Sequence, residues 1–134
     1  MRILHDHQVA GAATTLTITV TDQPGSGGAH HRYEITGLDT GTNPSSTDGS
    51  GYQTSWSRQV ILFQNGPVPT NGVNGVTIET LLAIDADRLR CFQAGPFASA
   101  DNAEALMHIE AALECLHRRT RNRIAREVEG KEVV

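Results

Sequence analysis

The sequence predicts an α+β fold, with a small N-terminal antiparallel β-sheet followed by a C-terminal two-helix hairpin. Upstream of Asn65 the chain is rich in β-branched residues and turn formers; downstream of Asn74 it is charged, with apolar residues at three- and four-residue spacing. Between the two, Asn65-Gly66, Asn71-Gly72 and Asn74-Gly75 crowd eleven residues together with Pro67 and Pro69. Such a density of turn formers argues against regular structure and marks a hinge. The 134 residues suit one domain able to fold without staples, with a β-rich half (1–66), a hinge (67–76) and a hairpin (77–130).

Each element has its own signal. Residues 15–20, Thr-Leu-Thr-Ile-Thr-Val, alternate apolar and hydroxylated side chains, as a strand with one buried face does. Pro24-Gly25-Ser26-Gly27-Gly28 ends it in a turn. A second strand is expected over 31–38 and a third over 56–64. The continuous apolar run Val60-Ile61-Leu62-Phe63 in the third suits a central position in the sheet or a subunit contact. Residues 39–55, Gly-, Ser- and Thr-rich with Tyr52 as their one aromatic, read as a long mobile loop.

Thr77 is the expected N-cap of the first helix, whose stripe is Ile78, Leu81, Leu82, Leu89 and Phe92. Asp85 falls on that stripe, a local conflict. Gln93-Ala94-Gly95-Pro96 breaks the helix, and a second is expected to start near Ser99 or Asp101, with a capping box at Asp101-Asn102-Ala103-Glu104. Asn102, Leu106, Ile109, Leu113 and Leu116 follow at 4-3-4-3 spacing, the rhythm of helices packed nearly antiparallel. This helix runs to Gly130 and outlasts its partner, so its far half needs cover from the sheet or a second subunit.

Eleven Lys plus Arg against fifteen Asp plus Glu give a net charge of −4, which argues against a wholly basic nucleic-acid binder and a polybasic membrane anchor. Ile3-Leu4 passes at once into His5-Asp6-His7-Gln8, too short an apolar stretch for a signal peptide. With no membrane-length apolar run either, the expected location is the cytoplasm. Cys91 and Cys115 read as buried thiols in reducing surroundings.

No metal, cofactor or catalytic centre is expected. His5-x-His7 lies at a terminus expected to fray, His30-His31 precedes a strand without an acidic partner at ligand spacing, and no nucleophile elbow, P-loop or zincin motif occurs. Glu104, Glu110 and Glu114 read as the exposed face of an amphipathic helix.

Two features point to a ligand. Arg118, Arg119, Arg121, Arg123 and Arg126 place five arginines in nine residues, with no lysine among them. They either solvate a helix C-terminus or grip phosphate through planar forks. Phe92 and Phe97, two of only six aromatics, flank the hairpin bend; they either cap the local core or offer a face to a base.

Asp87-Arg88-Leu89, Phe92-Gln93-Ala94-Gly95-Pro96-Phe97-Ala98, Asp101-Asn102-Ala103 and Arg119-Thr120-Arg121 resemble the helical hairpin of phage Thoeris anti-defence sponges, a hairpin shared with anti-CBASS sponges. Tyr33-Glu34-Ile35-Thr36-Gly37-Leu38-Asp39 and Ile61-Leu62-Phe63-Gln64-Asn65-Gly66-Pro67 resemble the β-rich portion of the Thoeris sponges. The likeness covers roughly residues 31–130. Cys91 stands where the family usually has glycine, and Ala100 where a basic residue is common.

The resemblance implies a non-enzymatic trap for cyclic ADP-ribose isomers in the host bacterial cytoplasm, with cyclic di- or trinucleotides as a second ligand class held by some members. It implies that Phe92 stacks on the ligand, Asn102 hydrogen-bonds it and Arg119 contacts its base or phosphates, with Gln93, Pro96, Phe97, Arg118 and Arg123 as further candidates. Asn102 and Arg119 lie 17 residues, about 25 Å, apart on one helix. One small ligand reaches Phe92, Asn102 and Arg119 together only if the hairpins of two subunits pair antiparallel, giving a homodimer with two equivalent pockets, alone or in a hexamer built as a trimer of dimers. Nucleic-acid polymers and membranes are not expected partners. The alternative is a phage structural or assembly protein whose hairpin serves oligomerisation.

Overall fold

The computed structural model describes residues 1–13, 15–46 and 56–130. They form two compact units, Met1–Val76 and Thr77–Val134. As expected, the fold is α+β.

The first unit is a four-stranded antiparallel meander in chain order: β1 (Arg2–Leu4), β2 (Thr17–Val20), β3 (Arg32–Thr36) and β4 (Arg58–Leu62). Registers such as Val20 opposite Tyr33, and Tyr33 opposite Ile61, put Ile18, Val20, Tyr33, Ile35, Ile61 and Phe63 on one face. Val20 is 1% exposed, and the Tyr33 and Phe63 rings meet edge-on with centroids 5.6 Å apart. On the opposite face Glu34 accepts from Arg32 at 2.6 Å and from Arg58 at 3.1 Å. The Arg32 hydrogen bond, more than the charges of Arg32 and Arg58, holds the Glu34 carboxyl below its ordinary value despite partial burial.

Three expectations for this unit change. A meander places its last strand at the edge, so β4 is not central; Val60 and Leu62 are 42% and 49% exposed. The segment expected to be irregular contains one helical turn, α1 (Val68–Asn71), entered through Pro67. It is also tied back to the sheet: Val76 bridges Phe63, and Gly75 lies against the Phe63 backbone, where a Cβ would collide. Gln64 Nε2 donates to the carbonyls of Gly66 and Gly72, while Asn74 exchanges two 2.8 Å bonds with the backbone of Asn65. Finally, the histidine pair does have an acidic neighbour. Asp22 Oδ2 accepts from the backbone N–H of His31 at 2.9 Å, and Asp22 Oδ1 lies 3.7 Å from His30 Nδ1.

The strand β1 escapes sequence reading because three residues carry no period. Of the expected long loop, residues 39–46 are a succession of tight turns, clipped at their base by Thr40 N donating to Trp56 O and Trp56 N to Thr40 Oγ1. Tyr52 lies outside the described residues.

The second unit is the hairpin of α2 (Ile78–Gln93) and α3 (Ala100–Gly130). Thr77 caps α2 as expected, its hydroxyl accepting from Thr80 N at 3.2 Å. The cap of α3 is Ser99, whose Oγ accepts from Asn102 N at 3.0 Å, in place of the expected box at Asp101. Asn102, Leu106, Ile109, Leu113 and Leu116 are each half-buried, which bears out the 4-3-4-3 stripe. On α2 the covered positions are Glu79, Leu81, Leu82, Ala86, Leu89, Phe92 and Gln93, so four of the five expected stripe residues hold and Ile78, 48% exposed, does not. Ala86 is fully buried and Asp85 exposed, so the conflict dissolves: the packing stripe runs through alanine, which lets the helices approach closely. Cys91 and Cys115 are exposed, not buried, because both lie off these stripes.

Candidate functional site

The hairpin bend gathers five of the expected residues. Phe92 and Phe97 meet edge to face, with centroids 6.4 Å apart and planes at 83°. Phe97 itself is 74% exposed, so capping a local core does not describe it. Gln93 bridges the bend: its Oε1 accepts from Ser99 N at 3.0 Å and its Nε2 donates to Ser99 O at 3.1 Å. Asn102 Nδ2 donates to the Phe97 carbonyl at 3.3 Å. Pro96 lies within the loop these bonds enclose, and is exposed.

Two neighbours were not among the expected site residues. Ser99 joins through its cap and its bonds to Gln93. The Arg88 guanidinium carbon lies 5.1 Å from the Phe92 ring centroid, a cation–π contact. Its sequence signal is the i, i+4 spacing of Arg88 and Phe92, which stacks the two side chains on one helix face.

Arg119 is at the other end of the hairpin, where its Nη2 lies 3.9 Å from Glu79 Oε1 in the first turn of α2. Arg90 with Glu110 at 3.3 Å marks the middle of the antiparallel pair. One chain therefore does not bring Arg119 to Phe92 and Asn102.

The arginine run is exposed but not bare of carboxylates. Arg121 donates to Glu114 at 2.7 Å, and Arg123 lies 3.9 Å from Glu127. Arg118 contacts Cys115 Sγ at 3.6 Å. The hydrogen bond from Arg121, then its charge, holds the Glu114 carboxyl below its ordinary value. Glu104, Glu110 and Glu114 are exposed, as expected. Among the described residues no group of three or more His, Cys, Asp or Glu side chains could hold a metal ion, and no helix is long and apolar enough to cross a membrane.

Fold and bend together define a class: a small α+β protein with a capped, aromatic-tipped helical hairpin. Residues 57–121 match the model of the Acb2/Tad1 hairpin domain, from β4 through α2 to the arginines of α3. Thoeris anti-defense 1 of Bacillus phage SBSphiJ7 is 46% identical over 70 residues, covering 52% of this chain and 49% of that protein. Residues 57–121 thus carry an Acb2/Tad1 hairpin domain, and through it the chain is similar to a phage Thoeris anti-defense protein. It spans about half the length of the relative it matches.

Proposed function

We propose that the protein binds a small cyclic nucleotide of the cyclic ADP-ribose type and holds it intact, acting as a phage anti-defence protein against Thoeris signalling. The observation that carries this reading is the bend: Phe92 braced by Phe97, beside Asn102 on a capped helix start, in a chain that carries an Acb2/Tad1 hairpin domain. The amide of Asn102 keeps its Oδ1 for a base N–H while its Nδ2 is held by Phe97. An aromatic face stacked on a base is worth about 1–3 kcal/mol.

The arginine end completes the pocket from a second subunit. Antiparallel pairing of two hairpins brings Arg119 of one chain to Phe92 and Asn102 of the other, giving two equivalent pockets in a homodimer. Binding is by affinity alone, so sequestration depends on slow release. The protein acts in the host cytoplasm, where such signals are made. Cyclic di- and trinucleotides are the second ligand class to test.

The test is direct. The purified protein is mixed with a panel of cyclic ADP-ribose isomers, desalted, heated to denature it and the released material chromatographed. Recovery of an unchanged isomer supports the reading; a hydrolysed product would make the protein an enzyme.

A further inference from the structure

We infer that Arg88 is a phosphate-contacting residue of the bend, supplied by the same chain as Phe92 and Asn102. The inference rests on the nucleotide-binding reading above and extends it to a residue outside the expected site.

Four arginines of the hairpin, Arg90, Arg119, Arg121 and Arg123, each have a carboxylate oxygen within 4.0 Å, on Glu110, Glu79, Glu114 and Glu127 respectively. Arg88 forms no ion pair among the described residues, although Asp85 and Asp87 are close by in sequence. It lies instead over the Phe92 ring, at 5.1 Å from the centroid. A ring attracts a cation without neutralising it, so the full charge stays at the bend.

The geometry suits a phosphate. A guanidinium carries its five N–H donors on a planar rim, and among the described residues Arg88 makes no ion pair that would occupy it. Arg88 sits one helical turn before Phe92, so both project from a rigid, N-capped helix. The two amides at the bend are tied to backbone carbonyls, Gln93 Nε2 to Ser99 and Asn102 Nδ2 to Phe97, and neither carries a charge. An anionic ligand reaching the bend therefore meets Arg88 as its uncompensated donor. A nucleotide whose base is held by Phe92 and Asn102 can place a phosphate on that rim. Two parallel N–H···O bonds then form from one side chain.

The experiment titrates the full chain calorimetrically with cyclic ADP-ribose isomers, ADP-ribose and adenosine, in the wild type, Arg88→Gln and Arg88→Lys. Arg88→Gln should weaken binding of the phosphate-bearing ligands about ten- to a hundredfold, the range for a hydrogen bond to a charged group, and leave adenosine within about twofold. Arg88→Lys should fall between, since it keeps the charge but loses the planar fork. Equal losses for adenosine and the phosphate-bearing ligands would overturn the assignment by showing that Arg88 only orients Phe92. Unchanged affinities in Arg88→Gln, with the wild type binding, would overturn this inference alone. A wild type that binds none of the panel overturns the nucleotide-binding reading and this inference with it.

Discussion

The two ends of the hairpin are built by different physics. At the bend, the ring of Phe97 and the amides of Gln93 and Asn102 fix the geometry through neutral contacts between residues no more than six apart. At the far end, long exposed side chains meet carboxylates: Arg119 with Glu79, Arg121 with Glu114, Arg123 with Glu127. Exposed ion pairs contribute about 0–1 kcal/mol each and exchange readily. The bend is therefore fixed by its own contacts, whereas the arginine end is held loosely by partners that exchange readily. Five arginines in nine residues look like a patch of free charge, but part of that charge is already spoken for by glutamates.

The sharpest way to break the contrast uses both ends at once. Phe92→Ala and Arg119→Ala, made separately, should each remove binding of a cyclic ADP-ribose isomer, by tenfold or more given the loss of a stack or a charged hydrogen bond. Mixed after unfolding and refolding together, the two variants should regain binding. A mixed dimer combines the intact Phe92 of one chain with the intact Arg119 of the other in one of its two pockets. If the mixture stays inactive, the pocket is not shared between subunits.

A smaller effect isolates the rigidity of the bend. Ser99→Ala removes the cap of α3 and should cost about 0.5–2 kcal/mol of stability, read as a lowered thermal midpoint of the helical signal. Glu79→Gln addresses the opposite end. It frees Arg119 from its 3.9 Å partner and should raise affinity for an anionic ligand by no more than about fivefold, most clearly at low salt. A drop in affinity would mean that Glu79 positions Arg119 instead of competing for it.

The smallest effect is a titration. Because Arg121 lowers the Glu114 pKa, the pair is intact above the ordinary glutamate value and opens only as pH falls through the lowered folded value. Carboxyl carbon NMR should show Glu114 titrating below an unpaired glutamate, and Arg121→Ala should return it to the ordinary range.

How legible these features are depends on how local they are. The α3 stripe from Asn102 to Leu116 is readable because its period is a property of one helix. On α2 the expected stripe holds at Leu81, Leu82, Leu89 and Phe92, yet its centre is Ala86, and Ile78 and Asp85 are exposed. Closeness of approach favours the small side chain, and pattern reading weights the large one. Arg88 over Phe92 is one turn apart and could have been read from spacing. Arg119 with Glu79 spans forty residues and could not.

By itself the sequence determined the β-then-α order, the helical hairpin, the cap at Thr77 and the family likeness, all of which depend on short-range pattern or on runs such as FQAGPF. Only the tertiary structure decided that β1 exists, that β4 is an edge, that both cysteines face outward and which arginines are paired. These depend on which distant segments meet. A strand's place in a sheet and a charge's partner are set by chain pairing across tens of residues, while a helix's period is written within each turn.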